Sequence, residues 1–124
     1  MYSRQVLDHF EHPRNAGEVA NPDASVQIAN PACGDVLRLT LKLSGNRIEE
    51  IRFLARGCVS AIACGSALTE LVQGSTVEKA RELGKKQLVL TVGGLPPASS
   101  HASHLALDAL AAALDQLARI SHER

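Results

Sequence analysis

Residues 36–43 decide the fold and read VLRLTLKL. Leucine occupies every second position, so one face of an extended chain is apolar while Arg38, Thr40 and Lys42 lie on the other. This period of two is typical of a strand in a sheet that has one covered face. The pattern therefore predicts a sheet built around this strand.

Alternation on either side predicts two further strands. Val26 and Ile28 alternate with polar or small residues, and Ile51, Phe53 and Ala55 alternate with mostly polar neighbours. An SGNR sequence, typical of a turn, separates the central strand from the later one. Three consecutive short strands predict an antiparallel meander.

The segments that flank these strands predict helices. Tyr2, Val6 and Phe10 recur every four residues and predict one buried face of an N-terminal helix. A run of small residues after Gly57 predicts a helix that stops at Gly74.

The C-terminal half is predicted to be mainly helical. Ser75 and Glu78 form a capping-box pattern for a short helix that ends near Gly84, whereas residues 87–92 fit a strand as well as a helix. A long helix is predicted over residues 102–120. Its predicted core stripe comprises Leu107, Leu110, Leu114 and Leu117. The fold class is therefore α+β, a three-stranded antiparallel sheet with helices packed on one face, in a single domain over residues 1–124.

Composition argues against several functions. The 124 residues include 13 Lys plus Arg and 13 Asp plus Glu, so the formal net charge is zero, whereas nucleic-acid backbones are bound by concentrated positive charge. Only two Phe and one Tyr could stack on bases, and no apolar run approaches the roughly 20 residues that cross a bilayer. The N-terminus lacks a secretory signal pattern, and three cysteines fit a reducing compartment. We expect a cytoplasmic protein that binds neither nucleic acid nor a membrane.

Cys33 and Asp35 form the first candidate site. They lie in the loop that enters the central strand, and residues two apart in an extended segment project to the same side. A thiolate and a carboxylate could therefore converge on one metal ion. A buried loop cysteine beside a turn aspartate fits the same residues.

Two other element ends carry candidate ligands. Cys58 stands where the third strand meets the next helix, and a helix N-terminus stabilises a thiolate. His101 and His104, three residues apart, could bracket an ion near the start of the long helix. The alternative for Cys58 is a small residue needed at the strand–helix junction. The alternative for the histidines is that they are exposed or cap the helix. Ligands dispersed in this way need a folded domain to gather them.

Four segments resemble the U-type iron–sulfur cluster assembly scaffolds, the IscU family, which includes the N-terminal domain of NifU. The segments are DHFEHPRN at 8–15, PACGD at 31–35, GCVSAIA at 57–63 and LPP at 95–97. Their order and spacing extend the resemblance over essentially the whole chain. It implies an α+β fold with a three-stranded antiparallel sheet.

The resemblance implies a scaffold or carrier and not an enzyme. In that family a transient 2Fe–2S cluster is built from iron and from persulfide sulfur delivered by a cysteine desulfurase, and is then passed to apo iron–sulfur acceptor proteins. Cys33 and Cys58 match two of the three family cysteines. Asp35 matches the aspartate that keeps the site labile, and His101 matches the site histidine.

The chain departs from the family at the third cysteine. The family usually reads LPPxKxHCS, whereas this chain has Ala102 in place of the cysteine and Ser99 in place of the lysine. The resemblance therefore gives no support here for that cysteine's roles in cluster ligation and sulfur acceptance, or for recognition by an Hsp70-type chaperone. Cys64 stands where the family more often has a serine, and it is either a packing residue or, like His104, a further candidate ligand. Cys64 is also a candidate sulfur acceptor.

Two alternative functions fit the same residues. Thiolates with a carboxylate and an imidazole suit zinc as well as iron, so a zinc-bound sulfur-relay partner of a cysteine desulfurase is one. A structural or regulatory relative that binds no cluster is the other.

Overall fold

The computed structural model describes residues 2–31 and 34–123, with side chains described as far as Arg119. The predicted ligand Cys33 lies outside the described residues.

The sheet has the predicted form. Its strands are β1 (Ala24–Ala29), β2 (Val36–Ser44) and β3 (Arg47–Arg56), paired antiparallel in the order β1-β2-β3. Three alternate leucines of β2, at 37, 39 and 41, are fully buried. The alternation in residues 36–43 therefore predicted the central strand and its covered face correctly.

Five α-helices occur in the described part of the chain. They are α1 (Arg4–Glu11), α2 (Val59–Val72), α3 (Val77–Arg81), α4 (Lys85–Thr91) and α5 (His101–Glu123), with a short 3-10 helix at Pro97–Ser99. Helix α2 packs on β3, and α5 packs on β1 and β2. The predicted α+β class is confirmed. None of the described helices is long and apolar enough to cross a membrane.

The buried face of α1 differs from the prediction. Ser3 caps the helix by accepting the Val6 N–H at 2.9 Å, and Val6 is buried as expected. Phe10, however, is 38% exposed, and the buried residue one turn after Val6 is His9. A histidine can be buried there because its ring finds a hydrogen-bond partner, Ser66 on α2.

The short helices also differ from the predictions. The predicted Ser75 cap is wrong, because Thr76 accepts the Lys79 N–H while the Ser75 hydroxyl donates to the Val72 carbonyl. Helix α3 ends at Arg81, before the predicted end near Gly84. Residues 87–92 are not a strand. Most of them lie in α4, because Leu88 and Val92, one helical turn apart, both enter the core.

Helix α5 packs mainly through small side chains. Of the four predicted leucines, Leu110 and Leu114 are buried, whereas Leu107 and Leu117 are only partly buried. Among the side chains that the structure describes, the remaining buried apolar positions of the helix are Ala102, Leu105, Ala106, Ala109 and Ala113. Alanines allow this helix to approach its neighbours closely.

Gly65 sets the distance between α2 and the sheet. A Cβ at this position would lie 2.7 Å from Phe53 Cδ2 and 3.0 Å from Leu37 Cδ1. Both neighbours are buried core side chains of the sheet. The absence of a side chain therefore permits the observed packing.

We expect Gly65→Ala to destabilise the fold. Alanine improves helix propensity by up to about 1 kcal/mol, whereas overpacking a dense core costs about 1–3 kcal/mol. Urea denaturation followed by circular dichroism should show a net loss of unfolding free energy. An unchanged or higher stability would mean that α2 is free to move away from the sheet.

Candidate metal centre

The candidate centre lies at one end of the β2–β3 pair. Asp35 immediately precedes β2, and Gly57 and Cys58 immediately follow β3. Val36 pairs with Arg56 across the two strands. This register places Asp35 beside the start of α2.

The Asp35 carboxylate connects the other two groups of the centre. Its Oδ1 accepts the Cys58 backbone N–H at 3.3 Å, and its Oδ2 accepts the Cys58 thiol at 3.3 Å. The same Oδ2 lies 3.5 Å from His101 Nε2. One ligand atom from each of Asp35, Cys58 and His101 lies within 4.8 Å of the other two.

The three side chains differ in exposure. Asp35 is only 4% exposed, whereas Cys58 and His101 are half-buried. The carboxylate is therefore buried, whereas the thiol and the imidazole remain accessible from solvent. An incoming ion or a partner protein can reach these two groups without unfolding the domain.

The Cys58 thiol behaves differently from the prediction. Cys58 is the N-cap of α2, as expected, but its pKa is raised above the usual cysteine value. Burial is the largest cause, and the Asp35 carboxylate raises the pKa further, while the backbone N–H of Ala61 lowers it. In the metal-free protein, burial and the Asp35 carboxylate therefore outweigh the predicted stabilisation of the thiolate by the helix N-terminus. A bound cation would favour the deprotonated ligand.

His101 reaches the centre because a helix begins there. The Leu95-Pro96-Pro97 break leads through the short 3-10 helix, and α5 starts at His101 itself.

The two positions at which the chain departs from the family are both buried. Ala102, in place of the family cysteine, is 1% exposed and belongs to the hydrophobic core. Ser99, in place of the family lysine, is also buried.

The other candidate ligands are not gathered with these three. Cys64 is fully buried in the hydrophobic core, and burial, with a smaller effect of Cys58, raises its pKa to about 12. His104 is exposed on α5. Within the described ranges, the group of potential metal ligands contains Asp35, Cys58 and His101 alone. Cys64 thus occupies a packing position.

Sequence reasoning missed one residue of the centre. Gly57 has a φ of +153°, and a Cβ there would lie 2.2 Å from Asp35 Oδ1. The available signal was a glycine placed directly before a candidate cysteine ligand, at a strand–helix junction.

The donor set suits a transition metal. A thiolate, a carboxylate and an imidazole are all ligands of zinc, and thiolate and imidazole are common ligands of iron. Metal–ligand bonds of about 2.0–2.3 Å place tetrahedral ligands roughly 3.3–3.8 Å apart. The separations of 3.3 and 3.5 Å measured from Asp35 Oδ2 fall in this range.

Together, the fold and the donor set define a class, a small α+β protein with a solvent-accessible candidate metal centre at one end of its sheet. More specifically, the chain belongs to the family of the NifU-like N-terminal domain, whose profile matches residues 1–123. The predicted family is thereby confirmed.

Named relatives agree with this assignment. The chain is 42% identical over 114 residues to the iron–sulfur cluster assembly scaffold protein IscU 1 of Archaeoglobus fulgidus, covering 92% of this chain and 74% of that one. It is 41% identical over 117 residues to the iron–sulfur cluster assembly scaffold protein IscU of Escherichia coli K12, covering 91% of each chain.

A solved structure supports the fold. The putative iron–sulfur cluster assembly scaffold protein for the SUF system from Fervidobacterium islandicum AW-1 superposes with a TM-score of 0.78, covering 91% of this chain and 96% of that one. The sequence identity is 20%, so this similarity concerns the fold alone.

Proposed function

We propose that this protein is an iron–sulfur cluster scaffold or carrier. It holds a transient 2Fe–2S cluster, its cargo, at the centre formed by Asp35, Cys58 and His101, with Cys33 as a further thiolate. The convergence of three donor atoms within 4.8 Å at an accessible sheet edge supports this function, as do relatives named as scaffold proteins.

The partners follow from this role. A cysteine desulfurase would supply sulfur, and apo iron–sulfur proteins would receive the cluster. The half-buried Cys58 and His101 suit both exchanges, because each partner must reach the metal. Neither exchange requires this chain to catalyse a reaction, so we propose a carrier and not an enzyme.

Each described ligand has a distinct part in this scheme. Cys58 supplies a soft thiolate, and His101 a borderline imidazole. Asp35 is a harder and weaker ligand for iron, so it favours exchange. In the metal-free protein the Asp35 carboxylate also holds Cys58 in place by accepting hydrogen bonds from its backbone N–H and its thiol.

A zinc-bound resting form is the second candidate, in which the protein acts as a sulfur-relay partner of a desulfurase. The separations of 3.3 and 3.5 Å favour it, because they fit ligands around a single ion.

Anaerobic reconstitution with iron and sulfide, followed by absorption spectroscopy and metal analysis, tests these functions. A visible charge-transfer spectrum with bound iron and sulfide supports the scaffold. Colourless protein that retains stoichiometric zinc supports the relay. A folded protein that binds neither would contradict both proposals and leave a cluster-free structural or regulatory role.

Asp35→Ala should slow release of the cluster while leaving it visible. The remaining thiolate and imidazole ligands are softer than the carboxylate and retain iron longer. Transfer to an apo-ferredoxin, followed by circular dichroism, measures the rate. Asp108→Ala, at an exposed aspartate of α5, is the control and should transfer at the parent rate. Equal rates for Asp35→Ala and the parent would rule out the labilising role.

A further inference from the structure

Gly57 leaves no room for a side chain beside the Asp35 carboxylate. A Cβ at this position would lie 2.2 Å from Asp35 Oδ1, 2.5 Å from its Cγ and 3.0 Å from its Cβ. Real side chains do not approach carboxylate atoms at such distances. The Asp35 carboxylate therefore fills the volume that any other residue at position 57 would need.

The backbones on both sides of this contact are fixed. Asp35 accepts the Asn30 N–H through its carbonyl at 2.8 Å, and the next residue, Val36, pairs with Arg56 in the sheet. Cys58 is anchored by α2, since its carbonyl accepts the N–H groups of Ala61 and Ile62 at 3.1 and 3.3 Å. A side chain at position 57 would therefore displace the Asp35 side chain more readily than these backbone segments.

Displacement of this carboxylate would affect each of its partners. The Cys58 amide and thiol would lose their acceptor, and His101 Nε2 would lose the carboxylate oxygen 3.5 Å away. The thiol and imidazole would remain on their own elements. The centre would then hold the same soft ligands without its hard one.

We infer that Gly57 is a positioning residue of the metal centre. Because it has no side chain, it admits the Asp35 carboxylate between Cys58 and His101, and it thereby sets how readily the cluster leaves. The statement about cluster release rests on the proposed function. The placement of the carboxylate does not.

Cluster transfer from single and double variants tests the inference. Gly57→Ala should slow release in the same direction and to a similar extent as Asp35→Ala. In the Asp35→Ala background, Gly57→Ala should add little, because no carboxylate remains to be displaced. If position 57 acted only through backbone strain, its effect would be the same in both backgrounds, and this additivity would overturn the inference.

Gly45→Ala is the matched control. Gly45 lies in the β2–β3 turn with a φ of +63°, and a Cβ there would meet nothing within 4 Å. The Gly45→Ala variant therefore has the backbone cost of a positive φ but creates no steric clash. Its cluster release should equal that of the parent protein.

A measurement on the metal-free protein separates this inference from the proposed function. The ring resonances of His101, observed by NMR at one fixed pH, should move in Gly57→Ala toward their positions in Asp35→Ala and stay unchanged in Gly45→Ala. His101 is distant in sequence from all three substitutions. Unchanged His101 resonances in Gly57→Ala would overturn the inference. If the parent protein binds no cluster, the proposed function fails, and the NMR comparison still decides the role of Gly57.

Discussion

Replacing Cys58 or His101 by alanine should weaken metal binding about 10-fold or more, the effect expected when a site of this kind is disrupted. Both side chains lie within 4.8 Å of the Asp35 carboxylate at an accessible edge. Competition of the protein with a chromophoric chelator for Zn²⁺ or Co²⁺ measures the affinity. Cobalt adds a spectroscopic signature, because loss of the thiolate removes the sulfur-to-cobalt charge-transfer band.

The chain provides a matched control for each of these variants. Cys64→Ala alters a fully buried core cysteine, and His104→Ala alters an exposed histidine on the same helix as His101. Both should bind metal as the parent does, and Cys64→Ala should lose only stability, because it leaves a small cavity. A loss of affinity in Cys64→Ala equal to that in Cys58→Ala would show that Cys64 is a ligand and would contradict the packing assignment.

The resemblance adds a prediction for Cys33, which lies outside the described residues. Its match to a family cysteine implies that Cys33→Ala weakens metal binding to the same degree as Cys58→Ala. Unchanged metal content in both variants would show that neither thiolate is a ligand of the proposed centre.

The sheet could be predicted from the sequence because its signal is local. Leucines at alternate positions form one apolar face of β2 whatever the neighbours of the strand, and three of them are fully buried. The α4 segment had no such signal. The LVLTV sequence at 88–92 has strand propensity, whereas in the fold Leu88 and Val92 are both buried and α4 packs on α2 and α5.

The candidate site was predicted in part, and the limit has a physical cause. The resemblance named Asp35, Cys58 and His101, but the contact between Asp35 and Cys58 depends on the register of β2 and β3. Register is a property of two strands together and cannot be deduced from either sequence alone. The steric fit of Gly57 against Asp35 follows from the same register, which explains why Gly57 was missed.

The same limit applies to His9. Its burial depends on Ser66, which is 57 positions away in the chain. His9 Nδ1 lies 2.7 Å from Ser66 Oγ, and this oxygen also accepts the Arg14 N–H at 2.8 Å. With a neutral ring whose Nδ1 accepts, the Ser66 hydroxyl can donate to His9 while it accepts from Arg14. This arrangement attaches α1 to α2.

Ser66→Ala should therefore lower the unfolding free energy substantially. It removes the partner of the buried His9 Nδ1 and of the Arg14 N–H, and each unsatisfied group costs about 1–3 kcal/mol. Urea denaturation measures the loss. The Ser44→Ala variant, at an exposed serine at the end of β2, should be nearly neutral. A similarly small loss for Ser66→Ala would show that water or backbone replaces the hydroxyl.

Acidification should weaken the contact between His9 and Ser66. Burial, together with the nearby Arg14 guanidinium, lowers the pKa of His9, although the Glu70 and Asp8 carboxylates partly oppose this shift. Folding therefore favours the neutral ring. The resulting stability is present above the unfolded-state histidine pKa of about 6.5 and is lost as the pH falls through the lower folded-state value.

Denaturation of the metal-free protein at pH 7.5 and pH 5.5 measures this effect. In His9→Asn, the amide oxygen can accept from Ser66 without titrating, so the loss of stability between the two pH values should be smaller than in the parent. His12→Asn, at an exposed histidine that ends the same helix, should keep the parent's full loss, because its side chain is not buried. An equal loss in His9→Asn and the parent would show that acid acts elsewhere in the fold and that the attachment of α1 does not depend on a neutral His9.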